Sequence, residues 1–275
     1  MTEPAATAAS APIGVFDSGV GGLTVVRELI RQLPRESLIY FGDTARVPYG
    51  PKSPETIRGY SREIAGYLIS QGVKAVVVAC NTATAQALPM LASELTVPVI
   101  GVVEPGARAA VAATRGGGIG VIGTAGTVAS GAYEHAIHAV SPTSRVVAQA
   151  CPLFVPLVEE GWLDTEATTL IARQYLAPIV AAGVDTLVLG CTHYPLLSPV
   201  IAPIVGESVR LIDSAYATAA ATRAAIGDAG LSRPTGAVPA PQYRFIVSDA
   251  PDQFLRAGRR FLGSAIERVE TRTFG

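Results

Sequence analysis

The chain has 275 residues, about half of them hydrophobic and 16% charged, with a formal net charge of −1. That length allows one large α/β unit or two smaller lobes, and the near-neutral balance leaves no electrostatic footprint for nucleic acid or an anionic membrane. No apolar run approaches the roughly 20 residues that span a bilayer, so no membrane association is expected.

Residues 1–12 are small, polar and low in complexity. They lack the basic and long apolar regions of a signal peptide and are expected to form a disordered tail. Ile13-Gly14-Val15-Phe16 then reads as a buried strand, followed by the turn Asp17-Ser18-Gly19-Val20-Gly21-Gly22. Its glycines are spaced neither as a P-loop nor as a dinucleotide fingerprint, and Asp17 would repel a phosphate. An acidic group there suits a substrate ammonium or a base working with a thiol. Ser18 and the neighbouring N–H groups suit a carboxylate.

A second strand is expected over residues 38–41. Beyond it, Asp43-Thr44-Ala45-Arg46-Val47-Pro48-Tyr49-Gly50-Pro51 is the kind of turn-rich segment that carries function at a sheet edge, with Tyr49 serving either the site or the core. Ser53-Pro54-Glu55 starts a helix whose amphipathic stretch ends before Gly72. The apolar run that follows closes on Cys80-Asn81-Thr82, and residues 97–103 read as another strand.

The second half repeats this pattern. Ile119 to Ala125 matches Ile13 to Gly19, and residues 145–148 read as a strand. Gly183-Val184-Asp185-Thr186-Leu187-Val188-Leu189-Gly190-Cys191-Thr192-His193 aligns without gaps on Gly72 to Thr82. Residues 209–212 and 243–247 supply further strands, the latter after a Pro-rich stretch, 232–241, read as a surface loop, and a last helix follows. The β-α-β-α-β order in each half predicts an α/β fold of two pseudo-symmetric lobes, each a parallel sheet flanked by helices, with the active site in the cleft between them.

Ligands of such sheets bind beyond the carboxyl ends of the strands, where both Cys80 and Cys191 fall. A thiol there lies near a helix N-terminus, which lowers its pKa. Three widely separated cysteines make no disulfide framework and are expected as free thiols of a cytoplasmic protein. Two equivalent thiols facing one cleft suit inversion of a carbon centre: one removes a proton from one face while the other delivers a proton to the opposite face. Reacting atoms about 3–3.5 Å from each sulfur place the sulfurs roughly 6–7 Å apart.

Zinc usually needs close Cys/His pairs in two places, and only Cys191-Thr192-His193 offers one. Pyridoxal phosphate needs a Schiff-base lysine, and the only lysines are Lys52, in a Pro-rich loop, and Lys74, at the wrong end of its strand. No cofactor and no metal are therefore expected. A hydrolase with one cysteine nucleophile, His193 and a carboxylate remains open but leaves Cys80 without a role. His193 reads as functional from its place beside Cys191. By spacing alone Glu159 is a solvated helix residue, and His135, His138 and Cys151 are structural.

Four segments closely resemble the motifs of the glutamate racemases, in the aspartate/glutamate racemase family: Ile13 to Leu23, Tyr40 to Gly50, Ala79-Cys80-Asn81-Thr82-Ala83-Thr84, and Gly190-Cys191-Thr192-His193-Tyr194-Pro195-Leu196-Leu197. The resemblance runs from about residue 13 to the last strand. It implies cofactor-independent interconversion of L- and D-glutamate, with the D enantiomer destined for peptidoglycan. Cys80 would act on the α-hydrogen of D-glutamate and Cys191 on that of L-glutamate. Asp17 would assist Cys80, while His193 and Glu159 assist Cys191, the last reversing the reading from spacing. Asp17-Ser18, Tyr49-Gly50, Asn81-Thr82 and Thr192-His193 would bind substrate. The resemblance further implies a homodimer and an inserted second lobe, residues 99–212, within a first lobe of 13–98 plus 213–275. Family members are also reported to bind DNA gyrase, a second role that nothing in this composition tests.

Overall fold

The computed structural model describes residues 8–234 and 239–274. In its first half, β1 (Ile13–Asp17), α1 (Leu23–Gln32), β2 (Leu38–Gly42), α2 (Pro54–Ser70), β3 (Ala75–Val78), α3 (Asn81–Glu94) and β4 (Val99–Gly101) alternate. α4 (Val103–Ala113) crosses to a second run: β5 (Ile119–Gly123), α5 (Ala125–Ala129), α6 (Ala132–Val140), β6 (Val146–Ala150), α7 (Phe154–Glu159), α8 (Glu166–Ala181), β7 (Thr186–Gly190), α9 (Ser198–Val205) and β8 (Arg210–Asp213). α10 (Ser214–Asp228) returns the chain to β9 (Tyr243–Val247), α11 (Pro251–Leu262) and β10 (Glu270–Thr271).

Two all-parallel sheets result, ordered β10-β9-β2-β1-β3-β4 and β6-β5-β7-β8. The duplication read from the sequence holds at the level of register. Ile13 faces Ala75 across β1–β3, and Ile119 faces Thr186 across β5–β7; each pair occupies matching repeat positions. The helices before β3 and β7 both end at a left-handed glycine, Gly72 (φ 73°) and Gly183 (φ 61°), the conformation that satisfies terminal carbonyls without Cβ strain. Strands β1, β2, β3, β5 and β7 are buried along their whole length because helices cover both faces, which is why they read as continuous apolar runs.

Three expectations are corrected. Val99–Gly101 pairs with Val76–Val78 and so belongs to the first sheet; the crossover begins with α4, which starts at Val103 in place of a longer strand. Within the expected tail, residues 1–7 lie outside the described residues, but residues 8–12 are fastened down. Lys74 Nζ, buried against Glu36 at 2.5 Å, donates to Ala9 O, and Lys74 N–H donates to Pro12 O. The stretch read as a surface loop has residues 235–238 outside the described residues, yet Arg233 is buried: its N–H donates to Glu36 Oε1 and its guanidinium to Arg35 O, Ser37 Oγ and Pro239 O. A buried carboxylate such as Glu36 demands donors, which Lys74 Nζ and Arg233 N–H supply, while Ala9 O takes a further hydrogen bond from the Lys74 ammonium.

Asp185 takes the repeat position of Lys74 and staples the second lobe. Its carboxylate accepts from Thr114 Oγ1, Thr186 Oγ1, Arg115 N and Gly117 N. Burial, the largest single influence, pushes the carboxyl up, but the four donors together outweigh it and hold the group at about 2, below the ordinary 3.8. The stabilisation is present above pH 3.8 and is lost as pH falls towards 2. Asp185→Asn is therefore expected to cost about 1–2 kcal/mol in urea unfolding at pH 7, discounted for exposure, with the gap closing near pH 2.

Candidate active site

The carboxyl ends of β1, β2, β3, β5 and β7 converge on a cavity of about 180 Å³ between the sheets, sized for a small molecule. Its walls include Ser18, Tyr49, Gly50, Cys80, Asn81, Thr82, Cys191, Thr192 and His193, so nine of the predicted site residues meet there. Asp17 and Glu159 are not among its walls. Asp17 is fully buried behind it, its carboxylate taking Gly19 N at 3.0 Å and Thr192 Oγ1 from the other lobe at 3.3 Å. Glu159, partly exposed at the end of α7, reaches His193 Nε2 at 3.2 Å. Tyr49 fills both roles left open by its sequence: it lines the cavity, packs on Tyr60 and donates to the buried Asp43 carboxylate at 2.5 Å.

The two cysteines sit in unlike surroundings. Cys80 caps α3, its sulfur accepting from Ala83 N at 3.4 Å and lying 3.8 Å from Ser18 Oγ. The helix terminus was expected to lower its pKa. Instead, burial first and the Asp17 charge second push the thiol up to about 12, overcoming the stabilisation from Ala83 N–H and Ser18. Cys191 has no α-helix directly after it; a 3₁₀ turn, Tyr194–Leu197, intervenes before α9. Its neighbour is His193, with Nδ1 3.9 Å from the sulfur. Burial alone would push the His193 imidazole down, but hydrogen bonds to Cys191 and Glu159 and the nearby acidic charge push it up to about 10. Burial likewise raises the Asp17 carboxyl, against the opposing charge of His193 and the hydrogen bonds it accepts.

Polar contacts also lace the lobes together. Thr82 Oγ1 lies 2.9 Å from Thr124 Oγ1 and 3.3 Å from Thr127 Oγ1. Tyr133 donates to Asn81 Oδ1 at 2.7 Å, and Gly126 N–H donates to Gly50 O at 3.0 Å. The last approach is close enough that a Cβ on Gly126 would stand 2.8 Å from Gly50 O. Asn81 Nδ2 is buried with no hydrogen-bond partner among the described residues, leaving a donor at the cavity wall.

Thr124 is the polar wall residue that sequence reasoning missed, beside apolar ones such as Val47, Pro48, Pro152 and Val155. The signal was present, because Thr124 occupies the repeat position of Ser18. Thr127 and Tyr133 carried no comparable signal. The repeat also shows where symmetry breaks: Asp17 is matched by Gly123 and His193 by Thr82, so each thiol has a different titratable neighbour.

Residues 13–222 match the family described as Asp/Glu/Hydantoin racemase. The glutamate racemase of Geobacter metallireducens is 56% identical over 257 residues, 94% of each chain. Among solved structures, a glutamate racemase of Bacillus anthracis is 42% identical and superposes with a TM-score of 0.89 over 96% of this chain and 97% of that one. Glutamate racemase from Francisella tularensis, solved in complex with D-glutamate, is 38% identical with a TM-score of 0.89, covering 96% and 98% of the two chains. With a shared fold, near-complete coverage and a matching pattern over most of its length, the chain is a racemase belonging to the Asp/Glu/Hydantoin racemase family.

Proposed function

We propose that the enzyme interconverts L- and D-glutamate by two-base proton transfer between Cys80 and Cys191. The observation that carries this reading is that both thiols open onto one small cavity from opposite lobes, each with its own acid–base helper. The identity of the substrate is supported by the glutamate racemases above, one of them solved with D-glutamate.

At rest, Cys80 carries its proton, since burial and Asp17 oppose ionisation, and Cys191 stands 3.9 Å from the His193 imidazole, whose pKa is pushed up to about 10. L-Glutamate then meets a base on one face and an acid on the other. Cys191 Sγ takes the α-proton: the Cα–H bond breaks, an S–H bond forms, and the electron pair delocalises into the α-carboxylate. Cys80 delivers its proton to the opposite face and is left as thiolate. The reverse direction exchanges the roles, so the pair titrates as one coupled system.

A thiolate is a much weaker base than the carbanion it generates, so charge developing on the carboxylate must be met by donors already in place. Asn81 Nδ2, the first N–H groups of α3, and the Ser18, Thr82 and Thr124 hydroxyls supply them at the cavity wall. The interlobe contacts exclude water and strengthen each of these interactions. Family membership further supports a cytoplasmic homodimer that supplies D-glutamate for peptidoglycan.

The test is incubation with L-glutamate in D₂O without cofactor or metal, following optical rotation and the α-proton signal together. Loss of rotation with deuterium entering the α position is expected. Persistence of both signals, in folded protein with reduced thiols, would refute the assignment.

A further inference from the structure

Two buried tyrosines have no part in the chemistry above. Tyr40, on β2, donates its hydroxyl to Gly19 O at 2.6 Å, and Gly19 N–H donates in turn to Asp17 Oδ2 at 3.0 Å. The turn has no slack: a Cβ on Gly22 would fall 2.8 Å from the Tyr40 hydroxyl and 2.5 Å from Asp17 Cβ. The Tyr40 ring is itself fixed against Phe254 and Phe245, with centroids 5.8 and 6.3 Å away.

Tyr194 stands in the other lobe, directly after His193. Its hydroxyl donates to Cys151 O at 2.7 Å, and its ring meets Phe154 edge-on at 5.1 Å. Cys151 opens the segment that becomes α7, whose last residue is Glu159. Tyr194 thereby ties the Cys191–His193 turn to the helix that carries the carboxylate partner of His193. Burial pushes both phenols well above their ordinary pKa, so each remains a donor throughout the working range. The repeat does not relate the two residues; Ala83 takes the position of Tyr194 in the first lobe.

We propose that Tyr40 and Tyr194 are positioning residues for opposite halves of the reaction, Tyr40 setting Asp17 against Cys80 and Tyr194 setting the His193–Glu159 pair against Cys191. The inference rests on the two-base reading. Tyr→Phe at either position keeps the ring and removes one hydroxyl. It lets the helper group drift without touching substrate or sulfur.

The readout is the primary isotope effect on kcat/KM, measured in H₂O with D-[2-²H]glutamate and with L-[2-²H]glutamate. When Cys80 takes the deuteron from the D enantiomer, the Cα–D bond breaks, an S–D bond forms, and the Cys191 thiol protonates the opposite face. The D label therefore reports the Cys80 step and the L label the Cys191 step. Tyr40→Phe is expected to lower kcat/KM about tenfold. The loss is equal for both enantiomers, because their equilibrium constant is unity. Its isotope effect should rise with the D label and fall towards one with the L label, and Tyr194→Phe should show the reverse.

A loss of activity with both isotope effects unchanged, in variants whose thermal unfolding shows them folded, would mean ordinary core tyrosines and overturn the proposal. If only one variant folds, its two labels decide the question alone. A mirrored pattern would keep the tyrosine roles and reassign which cysteine serves which enantiomer. A wild-type enzyme inactive on glutamate would instead remove the two-base reading itself, a result separable from flat variants of an active enzyme.

Discussion

Cys80→Ser and Cys191→Ser are each expected to lower racemisation of glutamate by about 10²–10⁴-fold or more while leaving the fold in place, because in the proposed two-base reaction each removes one of the two proton-transfer groups. Both thiols are small side chains in the cavity wall, and serine keeps their volume and hydrogen-bonding capacity. What serine cannot supply is the acidity of a thiol, since in the same surroundings a hydroxyl gives up its proton far less readily. The two variants should also fail differently. With Cys80 replaced, Cys191 still exchanges the α-proton of L-glutamate, so slow deuterium wash-in from D₂O is confined to that enantiomer. With Cys191 replaced, wash-in is confined to D-glutamate. NMR of the α position with chiral analysis reads both, and near-normal turnover in either variant would rule out the two-cysteine mechanism.

At pH 7.5 iodoacetamide is expected to modify Cys191 about 100-fold faster than Cys80 or more, since burial and the Asp17 charge hold Cys80 in its unreactive thiol form. With its pKa pushed up to about 12, Cys80 is ionised in only about one molecule in 3 × 10⁴ at that pH. Cys191 has the His193 cation 3.9 Å from its sulfur. Peptide mapping by mass spectrometry should find label first on the Cys191 peptide, with activity falling in step. Glutamate should protect it, and His193→Asn should slow labelling about 100-fold. Equal labelling of both thiols would refute the resting state assigned above. The direction of the pH dependence follows from the raised His193 pKa. Its favourable interaction is complete below pH 6.5 and is lost as pH climbs through about 10, so both activity and stability weaken on the alkaline side.

Much of this architecture was legible before any coordinates. Strands buried on both faces must be apolar at every position, so β1, β3, β5 and β7 announced themselves. The ungapped match ending in Cys80 and Cys191 carried their register as well. Thr124 could have been found by carrying the reading of Ser18 across the match of Ile13–Gly19 with Ile119–Ala125. Other features left no local trace. Val99–Gly101 joins the first sheet because of the strand beside it, and residues 8–12 are held because Ala9 O and Pro12 O accept from Lys74. Nothing in the spacing around Glu159 marks it as the partner of His193.

By itself, then, the sequence determined the two parallel lobes, the pairing of the thiols and the family, because strand period, burial and helix punctuation are written in contiguous residues. Only the tertiary structure decided what stands beside each thiol. That depends on Asp17 lying behind Cys80 and on Glu159 and His193 meeting beside Cys191. Burial and charge act through distance in space, and the chain brings these groups together from separate strands and helices of both lobes.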